Sequence, residues 1–177
     1  EEVIHTVKME PWKDLIWLEI LPLVAKTVYQ ELISGPEPAA KKNMEGNYSL
    51  VLQSQYLNES RDIFVHIPES YKNSDKKYPV LYVLDAEDVF NYAAGAVDFL
   101  STSYMPETIV VGIPNTHRER DQWVTLEPGG GYIHFIDFLE KELVPFIDKN
   151  YRTCPYRVFY GFCSGAGTTF YILFTRL

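Results

Sequence analysis

The 177-residue sequence lacks several features that would settle its class at once. Its longest apolar region, "LIWLEILPLVA" at 15–25, is short and contains Glu19 and Pro22, so it cannot span a bilayer as it stands. The 16 lysines and arginines form no dense cluster and face 24 acidic residues, which excludes a nucleic-acid or anionic-membrane surface. No His, Cys, Asp and Glu grouping has metal-ligand spacing, and no phosphate loop is present. We therefore predict no metal and no other cofactor.

Cysteine is also scarce, with only Cys154 and Cys163. A predicted strand lies between them and would hold them apart at ~3.3 Å per residue, beyond disulfide reach. Two free thiols lean weakly towards a reducing compartment. No signal peptide is visible and the chain begins at Glu1, so we expect a processed or trimmed, soluble product, cytoplasmic or periplasmic.

What the sequence does have is enough apolar material for one domain, at 46% hydrophobic and 15% aromatic residues. Residues 1–46 are predicted to form an N-terminal helical extension and linker. Pro11 suits a helix start, apolar residues recur at helical spacing, and "SGPEP" at 34–38 should end the helix. Two readings stay open: the helix packs on the flank of the domain, or it binds a partner or a second copy.

From residue 47 the pattern predicts a domain over 47–177. Two alternating segments read as a hairpin, and continuous apolar runs that suit strands buried on both faces alternate with amphipathic helices. The predicted strands are 48–55, 61–68, 78–86, 108–115 and 156–161, and the helices 89–102, 129–151 and 167–177. This order indicates an α/β, mostly parallel, doubly wound sheet with an antiparallel N-terminal hairpin. Ligands of such sheets bind where the parallel strands end, here after Leu84, Ile113 and Tyr160.

The last of these turns, "GFCSG" at 161–165, fits the pattern of a nucleophile flanked by glycines between a strand and a helix. Gly161 and Gly165 leave room for a strained residue at Cys163, and a thiolate is a strong nucleophile. Ser164 is a poorer candidate because Phe162 would clash at the equivalent offset, so its backbone N–H is better cast as an oxyanion donor. The alternative is that Cys163 is an inert remnant or an engineered replacement.

Five stretches together resemble the α/β-hydrolase esterase family that includes esterase D-like enzymes, enterobactin esterases and mycolyltransferases. They are "SRDIFVHIPESY" (60–71), "YPVLYVLDAEDVF" (78–90), "IVVGIPNTHRERD" (109–121), "FIDFLEKELVPFIDKNYRT" (135–153) and "RVFYGFCSGAGTTFYILFTR" (157–176). They occur in the family's order and cover about three quarters of the chain. Enterobactin-esterase-like hydrolases are the expected relatives.

The resemblance implies roles for particular positions. Cys163 falls on the nucleophile, where the family normally has serine, although the dienelactone-hydrolase branch of the fold uses cysteine. The oxyanion donors fall on the backbone N–H groups of Ser164 and of Ala86, where glycine is frequent. Asp85 just before it, and Arg118 and Arg120 in "NTHRERD", fall where substrate is bound. A surface ion pair between Arg120 or Arg118 and the neighbouring Asp121 is the alternative for the arginines.

The sequence also departs from that family. Its acid and histidine follow the nucleophile, whereas none of the 14 residues after Cys163 is Asp, Glu or His. Of the four histidines, only His117 lies on a loop at the catalytic edge, where it is a substitute base at best. His66 and His134 are expected to be structural or exposed, and His5 lies in the extension.

We therefore expect the N-terminal part of a hydrolase whose C-terminal strands are missing. Its open sheet edge favours a homo-oligomer or a complementing chain. Two functions remain as hypotheses. One is hydrolysis of a small-molecule carboxylic ester through an acyl-enzyme, and the other is a catalytically inactive binding or assembly module.

Overall fold

The computed structural model describes residues 47–124 and 130–176. The predicted extension at 1–46 lies outside the described residues, so the extension and its boundary with the domain stay predictions. The strands are β1 (Asn47–Ser54), β2 (Glu59–His66), β3 (Tyr78–Leu84), β4 (Ile109–Ile113) and β5 (Thr153–Tyr160). The α-helices are α1 (Ala86–Ser101), α2 (Arg118–Gln122), α3 (Gly131–Phe138), α4 (Val144–Asn150) and α5 (Ser164–Thr175). A 3-10 helix spans Glu69–Asn73, and a π-helical segment, Leu139–Leu143, joins α3 to α4.

These five strands form one mixed sheet in the order β1-β2-β4-β3-β5. The hairpin strands β1 and β2 are antiparallel to each other, and β2 is antiparallel to β4. The buried strand β3 lies parallel to β4 on one side and to β5 on the other. The predicted α/β sheet with an antiparallel N-terminal hairpin is confirmed.

Helices cover both faces of this sheet, and the alternation along β3 shows why. Tyr82 packs in the larger core cluster, whereas its neighbour Val83 packs in the smaller one. Successive strand side chains point to opposite faces, so a strand buried on both sides must be apolar throughout. The smaller cluster includes Phe90 and Val97 of α1, and the larger includes Phe138 of α3. The domain is therefore doubly wound, as the sequence predicts.

The single helix predicted at 129–151 is instead three consecutive helical segments. The wider π-helical turn Leu139–Leu143 ends two residues before Pro145, which lies in the first turn of α4. Proline has no N–H and its ring crowds the carbonyl four residues back, so a regular α-helix cannot pass through it undisturbed. Widening the preceding turn keeps the chain helical across that position.

Strand β5 lies at the edge of the sheet within the described residues, which explains two of its properties. It begins at Thr153 rather than at the predicted residue 156 and includes Pro155, because an edge strand tolerates a residue without an N–H. Large apolar side chains are also exposed to solvent on β5 and on the turn and helix that follow it. They are Tyr156, Tyr160, Phe162, Phe170, Leu173 and Phe174.

Candidate active site

Three segments that follow the parallel strands lie at one edge of the sheet. Strand β3 ends at Leu84, and Asp85 then leads directly into α1. Strand β4 is followed by Asn115 and the short helix α2, and β5 is followed by the turn that carries Cys163. The sheet thus brings together Asp85, Ala86, Arg118, Cys163 and Ser164, as expected for the carboxyl ends of neighbouring parallel strands.

The turn at Cys163 is tight and strained. Cys163 has φ 55° and ψ −117°, outside the conformations that side chains ordinarily permit, and its thiol is free and exposed. The turn closes through hydrogen bonds from Gly165 N to Phe162 O at 2.9 Å and from Ala166 N to Cys163 O at 3.1 Å. A Cβ on Gly161 would overlap the carbonyl group of Gly165, so only glycine fits there.

Ser164 is the first residue of α5, and Ala86 is the first residue of α1. Backbone N–H groups in the first turn of a helix have no acceptor within the helix and carry the positive end of its dipole. The two helix starts are neighbours, because a Cβ on Gly165 would lie 3.5 Å from Asp85 Oδ2. This edge of the sheet therefore brings the N-termini of two helices, with the backbone N–H groups of Ser164 and Ala86, close together.

Asp85 also has left-handed backbone, with φ 54° and ψ 39°. Its carboxylate accepts hydrogen bonds from Asn115 Nδ2 at 2.6 Å, Arg118 Nε at 2.8 Å and Gln122 Nε2 at 3.0 Å. Burial alone would raise the pKa of Asp85, but these hydrogen bonds and the charge of Arg118 outweigh it and hold the pKa below its usual value. The carboxylate is therefore ionised over the neutral range.

Arg118 connects this carboxylate to the strained turn. Besides Nε, its Nη2 donates to Asp85 Oδ2 at 3.2 Å and to the carbonyl of Phe162 at 3.4 Å. The hydrogen bond to Asp85 raises the pKa of Arg118, and the adjacent Cys163 side chain acts in the same direction. The guanidinium is 42% exposed, so it can meet a ligand as well as hold the turn.

Arg120 has a different environment, although it lies only two residues further along α2. It donates to both carboxylate oxygens of Glu59, at 2.8 and 3.0 Å, and to Asp121 Oδ1 at 2.7 Å. Asp121 in turn accepts from the buried Arg61 at 2.7 Å. The ion pair between Arg120 and Asp121 that the sequence left open is present, and the Arg120 guanidinium is largely occupied by it.

Sequence reasoning missed two members of the site, Asn115 and Gln122. Gln122 also donates to Asn115 Oδ1 at 2.8 Å, while its own Oε1 is buried without a hydrogen-bond partner. The available signal for Asn115 was its position just after β4. Gln122 faces the site only because residues 118–122, expected to be loop, form the helix α2.

The three described histidines differ in their environments. His117 precedes α2 and is exposed, beside an open groove of about 640 Å³ lined by residues 116–120. His66 is buried and hydrogen-bonded to Asn47 and Asp98, and His134 is exposed. His66 is thus a structural residue, whereas His117 lines the groove.

Within residues 47–124 and 130–176, no set of three or more His, Cys, Asp and Glu side chains is arranged to hold a metal ion. No helix in these ranges has the length and apolar character needed to cross a membrane.

The sheet order, the helices on both faces and the strained turn after β5 define an α/β-hydrolase type of fold. The family model Esterase, described as "Putative esterase", matches residues 54–175. The chain therefore belongs to this esterase family.

Individual relatives agree with the family. An IroE-like serine hydrolase from Shewanella oneidensis is 37% identical, with a TM-score of 0.65 over 72% of this chain and 46% of that one. The siderophore hydrolase EstB from Aspergillus nidulans shares the fold, at 22% identity and a TM-score of 0.67 over 80% of this chain and 56% of its own. The uncharacterized protein YjcH of Bacillus subtilis (strain 168) is 28% identical over 61% of this chain and 45% of its own. The chain thus spans about half the length of these relatives.

Proposed function

We propose that this chain carries the nucleophile and the oxyanion donors of a carboxylic ester hydrolase that works through an acyl-enzyme at Cys163. The observation that carries the proposal is the backbone of Cys163, at φ 55° between β5 and α5, beside the start of α1. Strain of this kind persists only where the surrounding structure enforces it, and it is concentrated at functional turns. Family membership and the 37% identical serine hydrolase support the same reaction class.

In the first step, the Cys163 thiolate attacks the carbonyl carbon of a small-molecule ester. The carbonyl electron pair moves to oxygen, and the N–H groups of Ser164 and Ala86 hydrogen-bond to the oxyanion. Collapse of the intermediate restores the carbonyl, breaks the bond to the alkoxy group and leaves a thioester on Cys163. The alkoxide takes a proton from water and leaves as the alcohol, and a second water then hydrolyses the thioester to the acid and the thiol. The thiol returns its proton to the hydroxide left by the first water, which regenerates the thiolate.

Hydrolysis of the thioester is the step for which the described residues supply the fewest catalytic groups. A general base must activate the second water, and the histidine and acid of this mechanism follow the nucleophile in the fold. We assign that part of the machinery to residues beyond 47–176 or to a complementing chain. His117 is the described residue best placed to substitute, because it borders the groove beside α2.

Arg118 is the group that we assign to the substrate. Its guanidinium lies beside Cys163, is 42% exposed and belongs to the wall of the groove. A substrate with a carboxylate or another acidic group near its ester bond would bind there through charge-assisted hydrogen bonds. Arg120 is a weaker candidate because Glu59 and Asp121 already occupy its donors.

The test is intact-mass spectrometry of the protein after incubation with p-nitrophenyl acetate. We expect one acetyl group per chain, mapped by peptide digestion to Cys163 and absent from the Cys163→Ala variant. Cys154 is partly buried and serves as the internal control for general thiol reactivity. Failure of Cys163 to acylate, while it still reacts with iodoacetamide, would overturn the proposal.

One observation favours the second function, an inactive binding or assembly module. Phe162, Phe170 and Phe174 are each more than 60% exposed, next to the edge strand β5. Such a patch beside unpaired strand backbone suits association with another chain. Analytical ultracentrifugation of the wild type and of a Phe170→Ser, Phe174→Ser variant tests this function: a mass that drops only in the variant supports it.

A further inference from the structure

Only three non-glycine residues in the described part of the chain have positive φ: Asn58, Asp85 and Cys163. Asn58 lies in the turn of the β1–β2 hairpin, where such a conformation is ordinary. The other two each stand immediately before a helix, and in both cases the next residue is a proposed oxyanion donor, Ala86 or Ser164. Asp85 and Cys163 therefore share the same local geometry: each has positive φ and directly precedes the first residue of a helix.

Asp85 has little capacity left to bind a substrate. Oδ1 accepts three hydrogen bonds, from Asn115, Arg118 and Gln122, and Oδ2 accepts one from Arg118. The side chain is only 13% exposed. A carboxylate with its lone pairs occupied by protein donors is a fixed structural anchor rather than a free acceptor.

The donors of this anchor come from a different segment of the chain. Asn115 follows β4, whereas Arg118 and Gln122 belong to α2, 33 and 37 residues after Asp85. Arg118 also donates to the carbonyl of Phe162, the residue before the nucleophile position. A single carboxylate thus fixes the start of α1 to the segment that contacts the strained turn at Cys163.

The peptide group between Asp85 and Ala86 contains the Ala86 N–H, so its direction depends on the backbone of Asp85. A left-handed conformation is unfavourable for a residue with Cβ and needs side-chain contacts to maintain it. Aspartate is among the residues that tolerate it best, and here four hydrogen bonds hold it.

We propose that Asp85 is a positioning residue that holds the Ala86 N–H in the oxyanion site and ties that donor to the turn carrying Cys163. This role rests on the proposed function. It differs from the substrate-binding role that the family resemblance implies for Asp85, because the carboxylate contacts protein donors and acts through the backbone of its neighbour. Substitution should then impair the reaction that forms an oxyanion more than it impairs the thiol itself.

Two reactions of Cys163 separate these effects. Acylation by p-nitrophenyl acetate passes through an oxyanion, whereas alkylation by iodoacetamide displaces iodide at a saturated carbon and forms none. Both reactions require the ionised, accessible thiol. A change in the ratio of the acylation rate to the alkylation rate, measured by intact mass in single-turnover experiments, therefore reports chiefly on the oxyanion donors.

For Asp85→Asn we expect this ratio to fall at least ~10-fold, towards the loss seen when an oxyanion donor is removed. Asp88→Asn is the matched control, because Asp88 is an exposed carboxylate in the same first turn of α1 with no side-chain partner among the described residues. Asp85→Glu, which keeps the charge on a longer side chain, should restore part of the ratio. Asn115→Ser removes one donor without touching Asp85 and should give a smaller fall, which keeps the test open if Asp85→Asn does not fold.

The outcomes are distinguishable. An unchanged ratio in both Asp85→Asn and Asn115→Ser, or an equal fall in Asp88→Asn, would overturn the positioning role while leaving the proposed function intact. A parallel loss of both reactions would likewise contradict it, since that is what general disruption of the turn produces. Absence of acylation in the unmodified protein, with alkylation retained, would overturn the proposed function and the role of Asp85 with it.

Discussion

The two sides of the five-residue helix α2 have different environments. On one side, Asp121 is fully buried and pairs with Arg61, which is 1% exposed. On the other, Arg118 is 42% exposed and pairs with Asp85 beside the thiol. Both are ion pairs at 2.7–2.8 Å, yet burial gives them different consequences. A buried pair is costly to break, whereas a partly exposed pair contributes less to stability because water screens it.

The difference indicates a division of roles within one short element. Asp121 and Arg120 attach α2 to β2 through Arg61 and Glu59, which explains how a helix too short to be stable by itself is held in place. Because α2 is held in this way, its residues Arg118 and Gln122 keep a fixed position at the site.

Removing Asp121 should have the largest effect. Asp121→Ala leaves Arg61 buried without its closest partner, and we expect a loss of about 3–5 kcal/mol in the free energy of unfolding. Urea denaturation measures it, with Asp62→Ala as the control because Asp62 is an exposed carboxylate on the same strand as Arg61. Equal midpoints for the two variants would contradict the distinction drawn between the sides of α2.

Asp85→Asn should cost less, about 1–2 kcal/mol, because it weakens charge-assisted hydrogen bonds at a site that water still reaches. The same denaturation experiment gives the value. The comparison between the sides would be reversed if Asp85→Asn proved more destabilising than Asp121→Ala.

The pH dependence of stability sharpens the same comparison on the buried side. The hydrogen bond from Arg120 lowers the pKa of Glu59 from 4.5 to about 2, despite partial burial. In the unfolded chain Glu59 protonates near its ordinary pKa, so its contribution is complete above that value and is lost as pH falls towards 2. Glu59→Gln should therefore flatten the acid limb of the stability curve between these values. An unchanged slope would show that the pair adds nothing.

Arg118→Lys should have the smallest effect on stability, within about 1 kcal/mol, because the pair is partly exposed. Its effect on reactivity should be larger. Lysine keeps the charge but cannot form the two-pronged contact with Asp85, so acylation should fall several-fold relative to iodoacetamide alkylation. A large loss of stability with unchanged acylation would show that Arg118, like Asp121, has a structural role and no role in the reaction.

Local signals made three features accessible from the sequence: the β1–β2 hairpin, the alternation of strands and helices after it, and the turn at Cys163. Apolar runs mark β3 and β4, and Gly161 and Gly165 mark a turn in which side chains cannot fit. The clamp on Asp85 was not accessible, because its donors lie 30 to 37 residues away and depend on α2 forming where a loop was expected. The π-helical segment before Pro145 was missed although its signal is local, because its apolar spacing resembles that of an ordinary α-helix.

The exposure of Cys163 has a practical consequence. The chain has two cysteines, and Cys154 is the less accessible one, so Cys154→Ser leaves a single thiol in a conformationally fixed turn. A nitroxide or fluorophore attached there would report rotational freedom beside Arg118, which lines the groove, with no further engineering. Its spectrum on titration with candidate esters or acids would identify ligands that occupy the groove without being turned over.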